Sequence, residues 1–416
     1  MPGPVRFLRL WAISVVVLGA LVVVVNLVVD PYLVFGTPRL PGISALKPNA
    51  RDHSMLSKTY AVARARPVTV LFGSSPTYLG FSAQDPAWPA SMKPVFNYGI
   101  PGGYATSASL DTMREAIALG GVKNAIVFLD FQNFFIAEGP RTWWTENERR
   151  YRTQRDGTAN PYRPLQVTAD MTLSLLTMRA LVDSADTVLR QFGRDTLNLA
   201  DDGSTTESDF SNAARADGMH DLFAQKESFE IERVRRGLSR VRNWTGPLPN
   251  QDIVLDMIRL AKAHDVRLTL VILPHHAQAL ELYWRAGLWP RVEQLKAELA
   301  DLVAREGSGV VLWDFLDFSS YNAEPVPSPG DRKTQTQWFW EPTHFKQTLG
   351  HIIIARITGA ATPDFGAILT PANVAERNAL VRAQQRVFAC TSGYKPPAGF
   401  SGTVGDDCGT PAKQPS

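Results

Sequence analysis

Five short apolar runs constrain this chain more than anything else in it. Val68-Thr69-Val70-Leu71-Phe72, Val95-Phe96-Asn97-Tyr98, Asn124-Ala125-Ile126-Val127-Phe128-Leu129, residues 266–273 and residues 309–315 are short and rich in β-branched and aromatic side chains. Apolar runs of this length, bounded by turn residues, read as strands buried on both faces. The stretches between them show helical spacing, as in 104–119, where Leu110, Met113, Ala116 and Ile117 fall on one side before Gly120-Gly121 stops the pattern. Strand and helix in alternation predict an α/β fold: a five-stranded parallel sheet wound by right-handed crossovers and flanked by helices. Chemistry on such a sheet collects at the carboxyl ends of its strands.

Two segments stand outside that alternation. Residues 10–29 carry no charge over a length that crosses a bilayer core of roughly 30 Å, which predicts one transmembrane helix rather than a shorter, cleaved signal segment. Arg6 and Arg9 precede the span and Asp30 follows it, so the short amino-terminal stretch 1–9 is expected in the cytoplasm and the body outside it, on the periplasmic or extracellular side. The second is 135–249, polar and Arg/Glu-rich at first, then helical, with an acidic Gly/Ser/Thr loop near 201–208; it reads as a helical insertion. The expected organisation is a linker and helix over 30–65, a first half of the sheet domain over 66–134, the insertion, a second half over 250–360, and a Pro/Gly-rich tail over 361–416. With 44% hydrophobic and 20% charged residues, the 416-residue chain can bury a full core. A net charge of +3 without any Lys/Arg-rich run gives no footprint for nucleic acid. Cys390 and Cys408, the two cysteines, both lie in the tail; on an exported body they are expected to form a disulfide.

The first strand ends at Gly73-Ser74-Ser75-Pro76, where Ser75 is placed either as a nucleophile or simply at a helix start, where serine is common. The far end of the chain favours the nucleophile. Glu341-Pro342-Thr343-His344 precedes an apolar-periodic helix, and a serine needs a histidine base held by a carboxylate. Gly-x-Ser after the first strand and acid-x-x-His before the last helix, in that order, resemble the SGNH (GDSL-type) hydrolase superfamily. The Gly-Ser-Ser variant behind a membrane anchor is most similar to its envelope O-acyltransferase relatives, the alginate O-acetylation and D-alanyl transfer types. The resemblance covers about residues 68–357 and implies an SGNH-like, flavodoxin-like sheet.

It also implies roles. Ser75, His344 and Glu341 would form the catalytic triad, with Glu341 standing where the family usually has Asp. Should Glu341 point away, Asp314 or Asp317 after the fifth strand could orient His344. The oxyanion hole would take the Ser75 N–H, Gly102 after the second strand, and an amide after the third, where Asp130-Phe131-Gln132-Asn133 departs from the family's Gly-x-Asn-Asp; Asn133 is preferred over Gln132. His275, His276 and Trp340 are expected as substrate contacts. Adjacent histidines on an extended chain point apart, and no His-Glu-x-x-His or Cys-x-x-Cys spacing occurs, so no metal and no cofactor is expected. The implied function is serine-dependent acyl transfer or ester hydrolysis on an envelope polysaccharide or its acyl donor, with the N-terminal helix in the membrane and a membrane-bound acyltransferase as a further partner. The alternative is a catalytically silent assembly or carbohydrate-binding subunit of an envelope pathway.

Overall fold

The computed structural model describes residues 3–102, 105–136, 145–193, 197–236, 238–307, 309–360, 365–396 and 400. All five expected strands are present: β1 (Thr69–Phe72), β2 (Val95–Asn97), β3 (Asn124–Leu129), β4 (Arg267–Ile272) and β5 (Val310–Asp314). They pair in parallel in the order β2-β1-β3-β4-β5, with Val70 opposite both Phe96 and Ala125, and Leu268 opposite both Ala125 and Val310. Three further strands follow, β6 (Phe339–Glu341), β7 (His344–Phe345) and β8 (Ala367–Ile368). Strand β8 joins the edge of β5 antiparallel, so the sheet has six strands rather than five and is mostly, not wholly, parallel. Two residues following Gly366 are too short to leave an apolar run in the sequence.

Strand periodicity of two divides the core. Val70, Phe72, Ala125, Val127, Leu268 and Leu270 pack on one side against the helices Ala105–Ala118, Gln251–Ala263 and Trp289–Glu306. Leu71, Ile126, Phe128 and Val271 face the other way, where Phe339, Phe345, Leu349 and Ile353 cover them. That second layer is the antiparallel hairpin β6–β7 and the helix Gln347–Ile357, which continues from it. Close approach fixes its position. A Cβ on Gly350 would lie 1.9 Å from the Gly80 carbonyl oxygen, so glycine alone lets this helix seat against the helix Ser75–Gly80.

The N-terminal helix runs from Pro4 to Val29, starting earlier than residue 10 because Pro4 suits a first helical turn. Its mean hydropathy reaches 2.9, and it is long and apolar enough to cross a membrane. The buried Lys47 Nζ donates to the carbonyls of Val29 and Asp30, satisfying acceptors that a helix end leaves open. Asp30 in turn accepts from the backbone N–H of Val34 and Gly36, both at 2.8 Å. In the insertion the described helices are Thr145–Arg150, Arg163–Leu176, Met178–Arg190, Ser208–Asp217 and Met219–Arg236. The Pro/Gly-rich segment expected as a tail holds β8 and the helix Val374–Thr391, whose Val381 and Phe388 are buried in the main core. Cys390 lies in the last turn of that helix and is disulfide-bonded; Cys408 lies outside the described residues.

Candidate active site

Strand β1 delivers its chain into a turn that tolerates no side chain at Gly73. With φ at +155°, a Cβ there would sit 2.1 Å from Thr77 Oγ1 and 3.0 Å from the Phe128 carbonyl oxygen. The turn ends on Ser74, and Ser75 opens the helix Ser75–Gly80 with its side chain partly open to solvent. From the opposite end of the sequence, β6 and β7 carry Glu341 and His344 to the same place. His344 Nε2 lies 2.8 Å from Ser75 Oγ. His344 Nδ1 hydrogen-bonds Glu341 Oε1, so that ring nitrogen carries the proton and Nε2 faces the serine as the acceptor. Glu341 is buried and also accepts from Thr343 Oγ1 at 3.0 Å and Thr343 N at 3.2 Å. Burial alone would raise its carboxyl, but the His344 ring, with the Thr343 hydrogen bonds, outweighs that and holds it below the usual glutamate value. Thr343, which nothing in the sequence singles out, holds the Glu341 carboxylate in position through its hydroxyl and its backbone N–H.

Asp314 and Asp317, the substitutes for Glu341, are engaged elsewhere. Asp314 is buried against Lys296 Nζ at 2.8 Å and Arg377 Nε at 3.0 Å, and Asp317 accepts from Arg377 Nη2 at 2.7 Å.

Around the triad the sequence-derived roles divide. Gly102 lies in the exposed bend after β2, with φ at +119°. That bend is tied to the turn that carries Ser75, since Ile100 N donates to the Gly73 carbonyl at 2.9 Å. Lys58, buried and unforeseen, donates to the Asn97 and Gly99 carbonyls at 2.8 and 2.7 Å and holds the bend; desolvation drives its ammonium well below the ordinary lysine value. Asn133 sits in the 3₁₀ turn Phe131–Phe134 at the carboxyl end of β3, next to β1, where its carbonyl accepts from Asn250 Nδ2 and its side-chain amide remains free of hydrogen bonds among the described residues. Gln132 is not a free donor. Its Nε2 is spent on Glu230 at 2.8 Å and Tyr283 at 2.6 Å, and its Oε1 accepts from Arg233.

The three expected substrate contacts are corrected by burial. His275 has no exposed surface; its ring stands against Phe131, with Nε2 3.4 Å from Asp130. His276 is a clasp. Its backbone N–H donates to the Pro342 carbonyl at 2.9 Å, its Nε2–H to the Glu324 carbonyl at 2.9 Å, and the Glu324 carboxylate accepts from the N–H groups of Gln337, Trp338 and Phe339. The segment that carries Glu341 and His344 is thus gripped through His276. Trp340 is largely buried: its Nε1 donates to Glu207 at 2.6 Å and Lys346 lies over its ring at 4.2 Å. The aromatic beside His344 is instead Phe210 of the insertion, at a ring-centroid distance of 5.3 Å. Glu207 of the insertion also accepts from Gln347 N at 2.9 Å, so the insertion braces the site directly.

Desolvation lowers His276 to about 4 from an ordinary 6.5. A histidine neutral in the fold and protonated when unfolded contributes stability that is full above pH 6.5 and lost as pH falls toward 4, at most about 3 kcal/mol. Denaturant unfolding between pH 7 and 4 should therefore show a shallower pH slope for His276→Gln than for the natural chain. Identical slopes would show that His276 is not held neutral.

The chain matches no protein-family model and no curated protein.

Proposed function

We propose that the protein is a serine acyl-transfer enzyme with an SGNH-like site, anchored by its N-terminal helix with the body on the non-cytoplasmic side of the membrane. The observation that carries this reading is the unbroken relay Glu341–His344–Ser75, assembled from residues far apart in sequence. A hydrogen-bonded base on a serine hydroxyl, held by a buried carboxylate, is an arrangement that activates a nucleophile.

Ser75 Oγ attacks the ester carbonyl carbon while its proton passes to His344 Nε2. The tetrahedral oxyanion is met by the Ser75 N–H, with Gly102 N–H and the Asn133 amide as the further donors; each such donor is worth about 3 kcal/mol when aimed at the transition state. Collapse breaks the ester C–O bond, and His344 returns the proton to the leaving oxygen. The acyl-Ser75 then passes to water or a sugar hydroxyl, deprotonated by the same nitrogen, which restores the serine. Glu341 stays ionised throughout and offsets the imidazolium. An acylated envelope polysaccharide or its acyl donor is the substrate class, and the insertion, with Phe210 against His344, shapes the acceptor side.

Incubating the full chain with a fluorophosphonate tests the nucleophile, because an activated serine displaces fluoride from phosphorus and keeps the phosphonyl group. Labelling confined to a peptide containing Ser75 and absent in Ser75→Ala is expected. Folded protein that takes no label would replace this reading with that of a silent binding subunit.

A further inference from the structure

The helices Arg163–Leu176 and Met178–Arg190 form a hairpin whose corner is Thr177, the side chain of which caps the second helix by accepting from Ala180 N at 3.1 Å. The hairpin packs along the N-terminal helix. Asn26 of that helix donates from Nδ2 to the Leu175 carbonyl at 2.9 Å and accepts from Ser184 Oγ at 2.8 Å. Tyr32, just beyond the helix, donates to Asp183 at 2.6 Å. On the N-terminal helix, Val22, Val23, Val25, Asn26 and Val29 are partly or fully covered, while Leu21, Val24, Leu27 and Val28 stay exposed. From Val22 to Val29, at a rise of 1.5 Å per residue, the covered stripe runs about 10 Å back along the apolar helix.

The hairpin's other side is apolar and uncovered. Leu165, Leu173 and Leu176 lie on one side of the first helix, and Met178, Val182 and Leu189 on one side of the second; each is more than half exposed. Six large apolar side chains left exposed on one hairpin mark an interaction surface. The N-terminal helix against which the hairpin packs likewise exposes Leu21, Val24, Leu27 and Val28.

We propose that this hairpin is a second membrane-contacting element, lying in the interface of the leaflet from which the N-terminal helix emerges, its outer side in contact with acyl chains. The proposal rests on the reading that Pro4–Val29 spans the bilayer. A depth of about 10 Å is that at which interfacial amphipathic helices lie. Asn26 fits the same picture: a polar side chain inside the apolar span is costly unless paired, and the hairpin satisfies both its donor and its acceptor. Arg179, exposed beside the corner, donates from Nε to Asp183 at 2.8 Å, one turn back toward the body, and its long stem carries the charge toward the headgroups. One spanning helix alone leaves a body free to tilt and rotate; a hairpin embedded beside it removes that freedom and sets Ser75 at a fixed height above the lipid.

The test uses the full chain in liposomes of phosphatidylcholine and phosphatidylglycerol containing lipid with a nitroxide on acyl carbon 5. An environment-sensitive fluorophore is attached to Leu173→Cys, Leu176→Cys or Val182→Cys, with Leu27→Cys on the N-terminal helix for comparison and Asp301→Cys as the aqueous reference. These side chains are exposed, so labelling leaves the packing intact, which the thermal unfolding midpoint verifies. Blue-shifted emission and quenching within about twofold of the Leu27 probe are expected at all three hairpin positions. Quenching at Leu27 with hairpin probes at the aqueous reference would overturn the proposal and leave the spanning helix standing. No quenching at Leu27 either would remove the span and the proposal with it. Hairpin probes that are blue-shifted but unquenched would mean that protein covers this side, which also overturns it.

Discussion

Ser75→Ala is expected to lower kcat for hydrolysis of an activated ester by on the order of 10⁴-fold or more, and His344→Ala by a similar factor. On the proposed reading the two act as one device: without the hydroxyl there is no nucleophile, and without the ring the hydroxyl keeps its proton. The double variant should therefore be no worse than either single one, since the residual rate comes only from substrate binding and the oxyanion donors. Glu341→Gln should cost less than either, on the order of 10²–10⁴-fold, because it leaves nucleophile and base in place and removes only the charge that fixes the His344 tautomer and stabilises its protonated form. Steady-state kinetics on the full chain check all three. Turnover by Ser75→Ala close to that of the natural chain would reject covalent catalysis whatever the other variants did.

The sheet was legible because its strands are buried on both faces: β1, β3 and β4 had to be nearly continuous apolar runs, and such runs are visible without knowing their partners. β8 was not, because two residues on an edge need no pattern of their own. The helix Val374–Thr391 was hidden for a related reason. Several of its inward positions are polar, with Arg377 and Gln385 buried alongside Val381, so its core side does not read as an apolar stripe. Its buried cation makes sense only once Asp314 is in view.

The site was half legible on the same logic. Gly73-Ser74-Ser75 and Glu341-x-x-His344 are local spacings that carry their chemistry with them, and the geometry joins them. Gln132, His275, His276 and Trp340 could not be sorted from the sequence because what decides their roles lies elsewhere in the chain: Glu230 and Arg233 for Gln132, Phe131 and Asp130 for His275, Glu324 for His276, Glu207 for Trp340. A polar side chain near a sheet edge is available to substrate only if nothing in the fold has claimed it first. Three of these claims come from the insertion or from the loop before β6, segments that interrupt the strand–helix alternation and carry no sign in the sequence of which sheet-edge residues they meet.

If the proposed function holds, Asp314 serves stability and Glu341 catalysis, and exchanging each carboxylate for its amide should separate the two. Asp314→Asn leaves Lys296, about 1% exposed, and the buried Arg377 around a neutral amide. Breaking a buried ion pair from one side costs about 3–5 kcal/mol, because the remaining charge stays desolvated. The loss is expected at the low end, since Arg377 keeps Asp317 and Lys296 keeps the Leu316 carbonyl. Strand β5 and the helix Val374–Thr391 loosen together, yet the triad is built from other elements, so kcat per folded molecule should change by less than about threefold. Glu341→Gln should show the converse. Its Thr343 contacts can be retained by an amide, so the unfolding free energy shifts by about 1 kcal/mol while kcat collapses. Measuring denaturant midpoint and turnover on the same two preparations gives a crossed result. If Asp314→Asn instead lost turnover at full stability, Asp314 and not Glu341 would be the carboxylate that His344 depends on.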